Sequence, residues 1–123
     1  MSKIWQFEDN GIDMKEIYNL MMKYSRGLNS QQHSIRSSVD VNVNYNADAE
    51  FTLKIDCKSN EKISIFKATT CLDGSIYLDT YFTTGQERVT GLTITTLEEL
   101  LDERVKDNRI GAIISYYISV ANR

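Results

Sequence analysis

Apolar and polar side chains alternate with a period of two through most of the segment between Val39 and Phe82, and short runs of Asn, Asp, Ser and Gly interrupt the alternation. A period of two places successive side chains on opposite faces of a strand. A chain that repeats this pattern with short breaks is committed to antiparallel hairpins, because parallel strands need long crossovers. Val39, Val41, Val43 and Tyr45 alternate with Asp40, Asn42 and Asn44. Phe51, Leu53, Ile55 and Cys57 alternate with Thr52, Lys54 and Asp56. The chain has no proline to interrupt a strand.

The register follows if each break closes a hairpin. Closing 46–50 sets Val43 opposite Leu53, Val41 opposite Ile55 and Val39 opposite Cys57. Closing 59–61 sets Cys57 opposite Ile63 and Ile55 opposite Ile65. Asp73–Gly74 is a strong signal for a two-residue turn with positive backbone angles. Closing there sets Cys71 opposite Ile76, Thr69 opposite Leu78 and Ile65 opposite Phe82. All three closures agree on one apolar face, with Val41 and Leu53 near its centre, and Lys67 is its one poor fit. Cys57 and Cys71 then lie roughly 26 Å apart along one strand. That is too far for a disulfide, so both are expected as free thiols.

Helices flank this meander. Asp13 and Glu16 have capping-box spacing, and Met14, Ile17, Tyr18, Met21, Tyr24 and Leu28 follow as a helical stripe. Arg26 suits the helix end and Gly27 the residue after it, which predicts a helix over 13–26. The polar stretch 28–38 reads as a loop, and residues 3–7 as a short strand. A fifth strand is expected over 88–95, with Gly91 at a bulge. Thr96 and Glu99 have capping-box spacing ahead of Leu97, Leu100, Leu101 and Val105. Ile110, Ile113, Ile114, Tyr117 and Ala121 share one side of a terminal helix, although its β-branched residues also suit a strand. The expected fold is a single α+β domain over 1–123: an antiparallel meander sheet of four to five strands, with an N-terminal helix and two C-terminal helices on one face.

The same register assigns the other face of the sheet to Asp40, Asp56, Phe66, Tyr77, Asp79 and Tyr81. Phe66 is expected across from Tyr81 and Asp40 across from Asp56. Aromatic residues on the wet side of a sheet either stabilise cross-strand pairs or form a protein contact, for which tyrosine is well suited. A second candidate contact is the acidic side of the helix near 96–107, with Glu98, Glu99, Asp102 and Glu103. Such a face is either simply solvated or steers a cationic partner.

Known chemistry finds little support. The one histidine, His33, falls in the polar stretch with no nucleophile aligned to it. There is no C-x-x-C or H-x-x-x-H pair and no phosphate-binding loop, so no metal or cofactor is expected. The net charge of -3 and pI near 5.1 disfavour nucleic acid and anionic lipid as partners. With 41% hydrophobic and 25% charged residues, no long apolar run and no apolar leader, the sequence reads as an ordinary globular domain expected in the cytoplasm. These features predict a non-catalytic protein-binding protein. Its concrete form is an immunity or inhibitor protein covering a basic toxin such as a nuclease. The alternatives are a chaperone of a secreted protein, and a small ligand-binding domain or enzyme with a pocket between helices and sheet.

Overall fold

The computed structural model describes residues 14–31, 36–43, 48–56, 62–71 and 73–121. Helix α1 (Met14–Gln31) precedes five strands, β1 (Arg36–Val43), β2 (Ala49–Asp56), β3 (Lys62–Thr70), β4 (Ile76–Phe82) and β5 (Gly85–Leu92). Helices α2 (Ile94–Arg104) and α3 (Asn108–Ala121) follow. The strands form one antiparallel sheet in the order β1-β2-β3-β4-β5. Residues from all three helices pack into one apolar core on one face of that sheet. The expected α+β architecture is therefore the observed one, including a helix over the β-branched terminal segment. Cys57, His33, Asp13 and the expected strand near residues 3–7 lie outside the described residues.

Two one-residue irregularities make this sheet close. Between Leu53 and Lys54 the β2–β3 register shifts: Lys54 pairs with Ser64, but Leu53 pairs with Phe66. Ile65 is the extra residue, so Ile65 and Phe66 are both 2% exposed and both lie toward the helices. The β3–β4 loop supplies the second irregularity. Thr70, not Cys71, pairs with Ile76. The Cys71 amide donates to Ser75 O at 2.9 Å, the Gly74 amide donates to Cys71 O at 3.0 Å, and Gly74 has φ +89°. This is one residue longer than a two-residue turn, and Gly74 takes the left-handed angle the extra residue demands. Each shift exchanges the faces of β3, and together they cancel. Beyond the bulge Phe66, Ala68 and Thr70 are buried with Phe51 and Ala49 on one side and Ile76 and Leu78 on the other. The expected pairs of Ile65 with Phe82, Thr69 with Leu78 and Phe66 with Tyr81 are thus corrected. Lys67, the misfit of the simple register, lies on the outer face.

The β1–β2 hairpin closes earlier than expected. Val43 pairs with Ala49 and Val39 with Leu53, a shift that keeps every side chain on its expected face. It also moves β1 past the end of the core, leaving Val41 48% and Val43 62% exposed. Asp40 faces Thr52 and Asp56 faces Arg36, so the expected carboxylate pair does not form.

The helices begin and end where tertiary contacts place them. Helix α1 runs through Gly27 to Gln31 because its last turns have partners in β1. The Asn29 side chain accepts from Ser37 N at 2.7 Å and donates to Ser37 O at 3.2 Å. It thereby satisfies backbone groups of an edge strand, which otherwise invite further pairing. Its buried residues are Ile17, Leu20, Met21 and Ser25, whereas Met14 is 43% exposed. In α2 the cap is Thr93, whose hydroxyl accepts from Thr96 N at 3.2 Å, while Thr96 Oγ1 accepts from Thr93 N at 2.7 Å. The box thus starts three residues earlier than expected. Gly91, with φ +70°, sits at the register shift in β5, as expected.

These burials order the strands by sensitivity. Leu53→Asp should unfold the protein, since an unpaired buried charge costs on the order of 4–5 kcal/mol or more. Val41→Asp, which the simple register places near the core centre, should cost only about 1 kcal/mol, the span of strand propensity. Chemical denaturation of both variants checks this, and equal losses would contradict the observed β1 register.

Candidate functional site

The sheet face away from the helices is built on a row that crosses all five strands: Asp40, Thr52, Lys67, Asp79 and Arg88. The Arg88 guanidinium grips the Asp79 carboxylate twice, Nε to Oδ1 at 2.7 Å and Nη2 to Oδ2 at 3.1 Å. The same guanidinium lies 4.2 Å from the Tyr77 ring centroid. Asp79 is 0% exposed although it points away from the core, so its cover is a layer of neighbouring side chains. Burial pushes its carboxyl upward, but hydrogen bonds from Arg88 and Gln86 and the charges of Arg88 and Lys67 outweigh it and hold it below the usual range. Partial burial opposes the charge on Lys67. Tyr81, Glu50 and Asp79 more than compensate and raise its pKa.

Every described carboxylate on this face has a cation beside it. Lys54 reaches Asp40 at 2.8 Å, Lys67 reaches Glu50 at 3.7 Å and Lys62 reaches Asp56 at 4.0 Å. Tyr77 and Tyr81 are half-buried among these pairs. Phe66, expected beside Tyr81, is in the core instead, because the Ile65 bulge turned it inward. The face is therefore a charge-balanced platform with two tyrosines, not the aromatic and acidic cluster expected. Lys67, Glu50 and Arg88 are the residues that reading missed. A two-residue turn at Thr83–Thr84, with Phe82 opposite Gly85, sets Asp79 directly across from Arg88. That turn was the available signal.

The second candidate surface lies on the other layer. Leu97 and Leu101 of α2 are buried and its polar side faces out. Glu98 is bound by Lys23 at 2.8 Å, and Glu103 approaches Arg104 at 3.9 Å. Tyr24 donates its phenol hydrogen to Asp102. Burial and the Asp102 carboxylate together hold that phenol well above its ordinary pKa. Among the described residues, Glu99 and Asp102 have no Lys or Arg nitrogen within 4 Å. The nearby Arg104 and Arg109 instead reach Glu87 at 3.6 and 3.2 Å, and Arg109 also binds Asp107 at 2.8 Å. Glu98, Glu99, Asp102 and Glu103 are thus brought together on one helix. They lie on the opposite layer from Asp40, Asp56, Tyr77, Asp79 and Tyr81.

Among the described residues no group of three or more His, Cys, Asp or Glu is placed to hold a metal, and no helix is long and apolar enough to cross a membrane. No protein-family model, curated protein or solved structure matches the chain.

The Asp79–Arg88 pair should behave asymmetrically. Arg88 is half exposed, so water can rehydrate it when its partner is lost, whereas Asp79 has no access to water. Arg88→Met should therefore lower the melting temperature more than Asp79→Asn. The carboxylate's pKa is depressed on folding, so its stabilisation is present above the unfolded value near 3.8 and fades as pH falls below it. Melts of wild type and Asp79→Asn from pH 7 to pH 2 should converge at the acid end.

Proposed function

We propose that this chain is a non-catalytic protein-binding protein that neutralises or escorts a basic partner, in concrete form an immunity or inhibitor protein for a cationic toxin such as a nuclease. The observation that carries this reading is the exposed acidic side of α2. Among the described residues Glu99 and Asp102 have no Lys or Arg nitrogen within 4 Å, and Glu103 has Arg104 only at 3.9 Å. Exposed uncompensated charge steers a partner of opposite sign and raises its association rate. Val105, 40% exposed at the end of the same helix, adds an apolar contact at the edge of the charged patch. The outer sheet face suits this role less well. Its carboxylates are already paired, so a cationic partner would have to displace Lys54, Lys67 or Arg88 to reach them.

The two surfaces lie on opposite layers, so one experiment separates them. Affinity capture from native lysate is run with wild type, with Glu99→Lys/Asp102→Lys, and with Tyr77→Ala/Tyr81→Ala. Wild type should retain a basic protein in stoichiometric amount. The α2 variant should slow its association on the order of tenfold at low salt and flatten the salt dependence. The tyrosine variant, where folded by circular dichroism, should bind as wild type does. Loss confined to the tyrosine variant would move the contact to the sheet. The absence of any stoichiometric partner would remove the proposal.

A further inference from the structure

Between α1 and the start of α3, above β2 and β3, lies a slot of about 500 Å³. Its floor is Leu53, Ile65 and Phe66, each 2–3% exposed, so the base of the slot is apolar. Protein interiors are close-packed, and an apolar space of this size is within the range of ligand pockets.

Gly27 makes the slot more than a packing defect. It lies inside helix α1 with ordinary helical angles and lines the slot, and a Cβ built on it meets no atom within 4 Å. Glycine within a helix costs roughly 1 kcal/mol relative to alanine. Here no close approach of the chain requires it. Any larger residue except proline would be a better helix former, and the space beyond its Cβ is open. The sequence therefore keeps open a volume that one side chain would reduce.

The rim supplies a charge. Lys23 is held by Glu98 at 2.8 Å. Asp102 is bound to the Tyr24 phenol, which also lines the slot. Lys106, at the other end, has no carboxylate within 4 Å among the described residues. An uncommitted ammonium at the mouth of a narrow apolar slot is complementary to a ligand with an apolar chain and an acidic head. We propose that this slot binds an amphipathic anion, a single alkyl chain with a carboxylate or similar head, with the chain over Ile65 and Phe66 and the head at Lys106. This site adjoins the acidic side of α2, since Val105 lines it and Tyr24 joins it to Asp102, but its ligand is a small molecule and its test needs no protein partner.

The purified full chain is titrated calorimetrically with dodecanoate below its micelle concentration, with octanoate, and with dodecyltrimethylammonium as a cation of equal chain length. Dodecanoate should saturate one site. Octanoate should bind more weakly, since each buried methylene contributes about 0.8 kcal/mol, and the cation should bind at least roughly tenfold more weakly than dodecanoate. Gly27→Leu should weaken dodecanoate by roughly tenfold or more without lowering the melting temperature, because leucine favours the helix. Lys106→Glu, a surface change that leaves the fold intact, should weaken dodecanoate and remove its advantage over the cation. Three results would each overturn the proposal: no saturable binding of dodecanoate, equal affinity for both head groups, or unchanged dodecanoate affinity in both variants.

Discussion

Strand β3 is the constraint on which the other elements depend. It has neighbours on both sides, and its side chains must match β2 on one edge and β4 on the other. In an antiparallel sheet a one-residue slip sends every side chain of a strand to the wrong face. Here one such slip occurs at Ile65 and a second in the loop that places Gly74 at φ +89°. Either alone would put Ile76, Leu78 and Thr80 on the wrong face relative to Phe51 and Leu53. Together they keep β2 and β4 in the same core and reverse only the far part of β3. The consequence reaches the surface: Lys67 arrives opposite Asp79, and Phe66 leaves the face where Tyr81 stands.

That reversal also decides the character of the two layers. With Lys67 and Arg88 flanking Asp79, the outer sheet face is internally compensated. Arg88 gains from three sources at once: two hydrogen bonds, a buried carboxylate and the Tyr77 ring. The tyrosines therefore have a structural use before any partner is considered. On the helical layer, Arg104 at the end of α2 and Arg109 at the start of α3 are drawn to Glu87 and Asp107. This leaves the carboxylates of α2 facing solvent. Both the acidic side of α2 and the slot beside α1 belong to that layer, and they differ in chemistry: one is charged, the other apolar and recessed.

Much of the fold was legible in residue order. Alternation fixed the antiparallel meander, because period two survives any shift by an even number of residues. The four-residue difference in the β1–β2 hairpin changed no side chain's face for that reason. The helical stripes identified α1 and α3, since Ile17 and Met21, and Ile110 and Ile113, are spaced for one face and are buried. The charge pattern identified the acidic side of α2. The poor fit of Lys67 was the visible trace of the irregularity in β3.

Tertiary structure alone decided the rest. A bulge has no compositional signature when its extra residue is an isoleucine, because Ile65 suits either face and only the helices above it select one. Gly27 reads locally as a helix end, yet the hydrogen bonds between Asn29 and Ser37 hold the helix beyond it. Val41 alternates as well as Leu53 does, but it is 48% exposed where Leu53 is 3%. Burial of that kind depends on where a neighbouring element stops, which no local pattern encodes. Residue order therefore determined the elements and most of their faces. Packing between elements distant in sequence determined which residues became core, platform and slot.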